Sequence, residues 1–104
     1  MARNKYESGR NAEKKVAAQL RRHGASVTSS PRSRGAADLV AKFPGRQWMV
    51  QVKSGENPPS QLHGTEKQRL NSTATRRNST PVLARVTDNG VEYVSTRSGR
   101  RLKP

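Results

Sequence analysis

Seven acidic residues face twenty-one Lys and Arg in this sequence, so the position of each acid is informative. Four have structural explanations: Glu56 falls in a loop, Glu66 at a helix start, Asp88 in a turn and Glu92 on an edge strand. Glu7, Glu13 and Asp38 remain. Asp38 opens a strand just after a loop, and Gln51 and Lys53 stand two apart on the next strand. Side chains two apart on a strand share a face. In a tight hairpin the start of one strand meets the end of the next, which brings Asp38 to the Gln51–Lys53 pair. Glu13 joins them if the first helix packs on this sheet. A carboxylate, an amide oxygen, a lysine and a second carboxylate in one place suit phosphodiester hydrolysis. A hard divalent cation needs only one or two carboxylates plus phosphate and water. It polarises the phosphoryl group and lowers the pKa of bound water, and an ammonium stabilises developing charge. Each residue also has an ordinary reading: Asp at a strand start forms turns, and Lys on a strand is solvated.

The elements that must position these residues follow from pattern. Ala12, Val16 and Leu20, with Ala17 beside them, recur at helical spacing over 6–23, and Gly24 stops the helix. The other face carries Arg10, Lys14, Lys15, Arg21 and Arg22. A short strand is expected at 25–29, a loop at 30–36, and a strand at 37–42. A Phe43-Pro44-Gly45-Arg46 turn leads to the clearest strand, 47–53, where Trp48, Val50 and Val52 alternate with Met49, Gln51 and Lys53. A loop at 54–60 follows. Thr65 and Gln68 have capping-box spacing, which predicts a helix from about residue 66 to 77 with Leu70 and Ala74 inward. Strands at 81–86 and 91–95 flank Thr87-Asp88-Asn89-Gly90, a hairpin signal. The order is helix, three strands, helix, two strands: a mixed α/β single domain over 1–104, with flexible basic termini at 1–5 and 97–104.

Composition bounds the rest. The net charge of +14 on 104 residues predicts a polyanionic partner, nucleic acid before an anionic membrane. Only 30% of the chain is apolar and four residues are aromatic, so the core is small and gains from a second copy or a bound partner. No run approaches the ~18 apolar residues of a membrane span, and residues 1–10 lack the apolar stretch of a signal peptide. The absence of cysteine rules out disulfides and thiolate metal sites. It is compatible with an intracellular home, cytoplasm or nucleoid, and the short basic form with a virus-encoded protein.

The ordered set Gly9, Glu13, Gly24, Ser33, Asp38-Leu39-Val40-Ala41 and Val50-Gln51-Val52-Lys53 resembles the PD-(D/E)XK nuclease superfamily. Within it the chain is similar to the archaeal-type Holliday junction resolvases. Leu62-His63-Gly64 before a basic helix and Pro81-Val82-Leu83-Ala84 extend the likeness over about residues 5–95. The resemblance implies a restriction-endonuclease-like α/β fold, a mixed central sheet of about five strands flanked by helices in the order αβββαββ. It implies an Mg²⁺-dependent endonuclease, with Mn²⁺ able to substitute, that resolves four-way junctions in DNA recombination and repair. Paired symmetric nicks by a homodimer fit the junction's two-fold symmetry. Glu13 and Asp38 become metal-site carboxylates, Lys53 the catalytic lysine and Ser33 the loop serine, with Ser30 the lesser candidate. The family's second strand acid falls on Gln51, which offers a carbonyl oxygen without charge, and the Val52 carbonyl is a further ligand. The basic residue at the end of the family's first strand falls on Ser29, with Arg32 or Arg34 as substitutes.

Arg10, Lys14, Arg32, Arg34, Lys67, Arg69, Arg76 and Arg77 are the expected DNA contacts, positioning phosphate without reading sequence. Leu83, Val91, Tyr93 and Val94 are candidates for the dimer interface or for ordinary core. No organic cofactor and no membrane partner is expected. Two other readings stay open: the same chemistry on another branched or damaged DNA, and a basic DNA-binding protein without catalysis, for which Gln51 is the best argument.

Overall fold

The computed structural model describes residues 5–29 and 36–104, with side chains from Arg10 onward in the first helix. Helix α1 spans Lys5–Arg22, followed by β1 (Ser26–Ser29), β2 (Leu39–Phe43), β3 (Arg46–Ser54), α2 (Gly64–Arg76), β4 (Thr80–Thr87), β5 (Gly90–Ser95) and β6 (Arg101–Leu102). The strands form one sheet in chain order. Every neighbouring pair is antiparallel except β3 and β4, which run parallel with α2 as their crossover.

Local chemistry explains the corners. Gly24, at φ 94°, ends α1, and the Ala25 N–H reaches back to the Leu20 carbonyl (3.1 Å). Pro44-Gly45, with Gly45 at φ 78°, supplies the positive dihedral of a type II turn, so Phe43 pairs with Arg46 and the β2–β3 register is set. Asp88 and Asn89 are the two loop residues between β4 and β5, since Thr87 pairs with Gly90.

Period-two alternation divides the core between two faces. Ala12, Val16, Ala17 and Leu20 of α1 cover Leu39, Ala41, Phe43, Trp48, Val50, Val82, Ala84 and Tyr93. Trp48 links the aromatic residues there, 5.1 Å from the Phe43 ring and 5.6 Å from that of Tyr93. Burial pushes the Tyr93 phenol up to about 12, and it stays a donor to the Gln19 side chain. On the other face, Leu70 and Ala74 of α2 and Leu62 before it meet Met49, Leu83 and Ala37. Strand β4 is therefore buried from Pro81 to Ala84, which is why it reads as a continuous apolar run. No helix among the described residues is long and apolar enough to cross a membrane.

Three expectations are corrected, and one open alternative is decided. The sheet of about five strands gains a sixth at its edge: Arg101 and Leu102 pair with Val94 and Tyr93, where a flexible tail was expected. Two paired residues are too short to show a periodicity. The Ser95 N–H bonds to the Arg100 carbonyl (2.8 Å), and fully buried Thr96 bonds to Asn71, which turns the chain back. Thr65 is not the cap of α2. The first helical bond runs from the Lys67 N–H to the His63 carbonyl (3.4 Å), and His63, at the cap position, makes no side-chain cap bond. Core-bound Leu62 anchors the chain immediately before that start. Leu83, Tyr93 and Val94 are buried within the protomer, and Val91 packs on the α1-side core, so they serve the fold. Glu92 is not on an edge: β6 covers its strand, and it pairs with Arg85 (2.6 Å) and Arg101.

Leu70 is fully buried and holds α2 to the sheet. Leu70→Ala is expected to cost about 2–5 kcal/mol in chemical denaturation, and the volume-conserving Leu70→Met less than about 1.5 kcal/mol.

Candidate functional site

Asp38 lies one residue before β2. Its N–H continues the hairpin ladder by donating to the Val50 carbonyl (2.9 Å). Its carboxylate Oδ2 accepts the Val52 N–H across the strand end (2.9 Å). Leu39 and Val50 form the last recorded pair, so Asp38 stands just beyond it, beside the Gln51–Lys53 stretch of β3. Gln51 and Lys53 share a face, so the carboxylate, the amide and the lysine gather at one end of the β2–β3 hairpin, as the spacing implies. Gln51, Val52 and Lys53 are all half-buried.

Burial raises the Asp38 carboxyl above its ordinary range. The Val52 N–H and the Lys53 charge oppose that shift, and Glu66 adds to it. Glu13, half-buried on α1, is also raised, first by burial and then by the charge of Asp38, with Arg10 opposing. The two acids therefore feel each other although they stand on different elements.

Glu66 was explained from sequence as a helix-start residue only. In the fold its Oε2 lies 3.0 Å from the Lys53 Nζ. The signal for this was topological. A parallel β3–β4 pair needs a crossover, and the crossover helix starts near the end of β3, where Lys53 stands. The first acid of that helix is Glu66. Across the sheet, Arg85 is opposite Lys53 in the parallel register. It donates to the Pro59 (2.8 Å) and Pro58 (3.0 Å) carbonyls, tying the segment that follows Lys53 to β4.

The expected DNA contacts divide. Arg10 and Lys14 are exposed on the helix that carries Glu13, and Lys67 follows Glu66 on α2. Arg69 is exposed one turn further on. Arg76 and Arg77 are exposed at the far end of α2, about 15 Å from Glu66 by helical rise. Ser30, Arg32, Ser33 and Arg34 lie outside the described residues. Ser29 is exposed at the end of β1.

The residue types suit a hard cation. The Glu13 and Asp38 carboxylates feel each other's charge, and Gln51 stands half-buried on the neighbouring strand, whereas no group of three or more His, Asp or Glu side chains among the described residues closes into a metal cage. Mg²⁺ is bound in this way, through one or two carboxylates with the remaining positions left to water and phosphate.

Comparison with known proteins bears on the fold and the family. No curated protein sequence matches the chain. Among solved structures it is similar to that of Archaeoglobus fulgidus Hjc, a Holliday junction resolvase from an archaeal hyperthermophile. The TM-score is 0.78 at 17% identity, over 92% of this chain and 79% of that one, a likeness that speaks for the fold. The sequence also matches the family model of the archaeal Holliday junction resolvases over residues 4–98. A match across nearly the whole chain places the protein in that family, the Hjc resolvases.

Proposed function

We propose that this resolvase acts as a homodimer, each protomer nicking one of two opposed strands of a four-way junction at an Mg²⁺ site held by Glu13 and Asp38. Its family makes it an endonuclease with metal-dependent chemistry, which selects the first of the three readings of the sequence. The observation that carries the site is the Asp38 carboxylate, bonded to the Val52 N–H at the hairpin end beside Lys53.

Glu13 and Asp38 bring negative charge, and the Gln51 side-chain oxygen and the Val52 carbonyl complete the protein ligands. The bound cation supplies Lewis-acid stabilisation of the phosphoryl oxygens and a more acidic water. Mn²⁺, also an oxygen-seeking dication, substitutes. Lys53 presents its ammonium to the scissile phosphate, orients the attacking water and balances charge as it builds. Water adds to phosphorus, one ester P–O bond breaks, and the departing oxygen takes a proton. Ser33 enters by resemblance alone, as a loop contact to the substrate. Arg10, Lys14, Arg32, Arg34, Lys67, Arg69, Arg76 and Arg77 hold the phosphate backbone. A substrate of chromosomal or viral DNA fits an intracellular place of action. The two-fold symmetry of the junction favours a C₂ dimer, its contact lying elsewhere than buried Leu83, Tyr93 and Val94.

A labelled four-way junction incubated with Mg²⁺, Mn²⁺ or EDTA tests this reading. Symmetric paired nicks with either metal, none with EDTA and little cutting of linear duplex are expected. Binding without cutting in both metals would sink it. Junction affinity should fall steeply with salt, with a log–log slope of about −0.9 per phosphate neutralised, measured by fluorescence anisotropy.

Asp38→Asn separates function from stability. A carboxyl raised in the folded chain favours the fold when protonated, and that contribution is lost as pH rises through the raised value. In metal-free buffer at pH 7, Asp38→Asn is therefore expected to melt above the wild type. The difference should close as the pH falls below the ordinary Asp value of 3.8. The same variant should bind the junction and lose more than about 100-fold in cleavage rate, beyond what outer partners of a metal site usually cost.

A further inference from the structure

One acid at this site is not among those the family resemblance supplies. Glu66 stands in the first turn of α2, with its Oε2 3.0 Å from the Lys53 Nζ. Its place is not incidental, because Leu70 and Ala74 of the same helix are fully buried against Met49 and Leu83. Its charge is felt at Asp38. Meanwhile Gln51, at the position where the family has a strand acid, is neutral. Glu13 and Asp38 must then balance both a dication and the Lys53 ammonium.

We propose that Glu66 is a positioning residue of the catalytic centre, which holds Lys53 in place and supplies from α2 the negative charge that Gln51 lacks on β3. This rests on the metal site proposed above and deepens it. Glu66 acts from outside the direct ligands: it pairs with the ammonium, so that Lys53 and the cation can occupy one small site without the lysine's charge opposing the metal. The ion pair itself is a weak structural element. Lys53 and Glu66 are 33% and 43% exposed, and exposed pairs contribute little to stability. A purely structural role would therefore leave metal affinity unchanged.

The test is Mn²⁺ binding to the DNA-free protein, by calorimetry or loss of the free-ion spin-resonance signal. The proteins are wild type, Glu66→Gln, Gln51→Glu, the Gln51→Glu/Glu66→Gln pair and Asp38→Asn, with circular dichroism to show that each is folded. Glu66→Gln should weaken Mn²⁺ binding about 10–100-fold, the range for outer partners of a metal site. Adding Gln51→Glu should return it to within about threefold of wild type, and junction cleavage should follow the same order. Unchanged Mn²⁺ affinity in Glu66→Gln overturns the proposal. So does a loss that Gln51→Glu fails to restore, because the missing quantity was then not charge. Asp38→Asn separates the two levels. If Asp38→Asn weakens Mn²⁺ binding and Glu66→Gln does not, this inference fails alone. If Asp38→Asn also binds Mn²⁺ as wild type does, the metal site is misplaced and both fail.

Discussion

The bond from the Val52 N–H to the Asp38 carboxylate is the interaction on which the site depends. It ties an acid to the end of a hairpin whose register Pro44-Gly45 has already set. A one-residue slip between the two strands would put Asp38 on the face opposite Gln51 and Lys53. The bond also offsets part of the cost of keeping a carboxylate away from water. It does not offset all of it, since burial still raises Asp38, and Glu13 approaches from α1 and is raised as well. Two partly desolvated acids held within reach of each other disfavour full ionisation unless a cation joins them. The fold thus carries a modest electrostatic cost at this pair of acids.

The surrounding structure is economical with its few apolar residues. Each helix buries one short stripe, Ala12, Val16, Ala17 and Leu20 on one face of the sheet and Leu70 and Ala74 on the other. Polar contacts finish what the apolar residues begin. Arg85 ties the Pro58-Pro59 segment to β4, Asn71 bonds to buried Thr96, and Glu92 joins Arg85 to Arg101 on the added strand. Of the seven acids, Glu13 and Asp38 feel each other's charge, Glu66 pairs with Lys53, and a fourth, Glu92, is used in this bracing. A basic excess over the rest of the surface draws DNA toward any part of it. On the proposed reading the acids set where a metal is held, and the surplus of Lys and Arg supplies attraction without choosing the site.

Regular elements were legible wherever one periodicity dominated. Val16 and Leu20 showed α1, Trp48, Val50 and Val52 showed β3, and Asn89-Gly90 showed the β4–β5 hairpin, so strand geometry already placed Asp38 near the end of β3 that carries Gln51 and Lys53. Features resting on tertiary contacts were not legible. The start of α2 is fixed by buried Leu62 and not by the hydroxyl of Thr65. Strand β6 exists because Thr96 is held by Asn71 and the chain turns back on β5. Glu66 looked like an ordinary first-turn acid because its partner lies thirteen residues away on another element.

The parallel β3–β4 pair explains why an acid can serve this centre from α2. Parallel neighbours need a crossover, and its helix begins near the carboxyl end of β3, beside Lys53. Two elements therefore converge on Lys53, and either can carry an acid beside it. At residue 51 a third carboxylate would be half-buried on the strand beside Asp38, adding its own desolvation to a pair of acids already raised. At residue 66 the carboxylate is more exposed, stands in the first turn of a helix where the macrodipole favours negative charge, and meets an ammonium at 3.0 Å. The helix position thus holds the same charge at lower electrostatic cost. That difference is a physical reason for a chain with so small a core to place glutamine on the strand and glutamate on the helix.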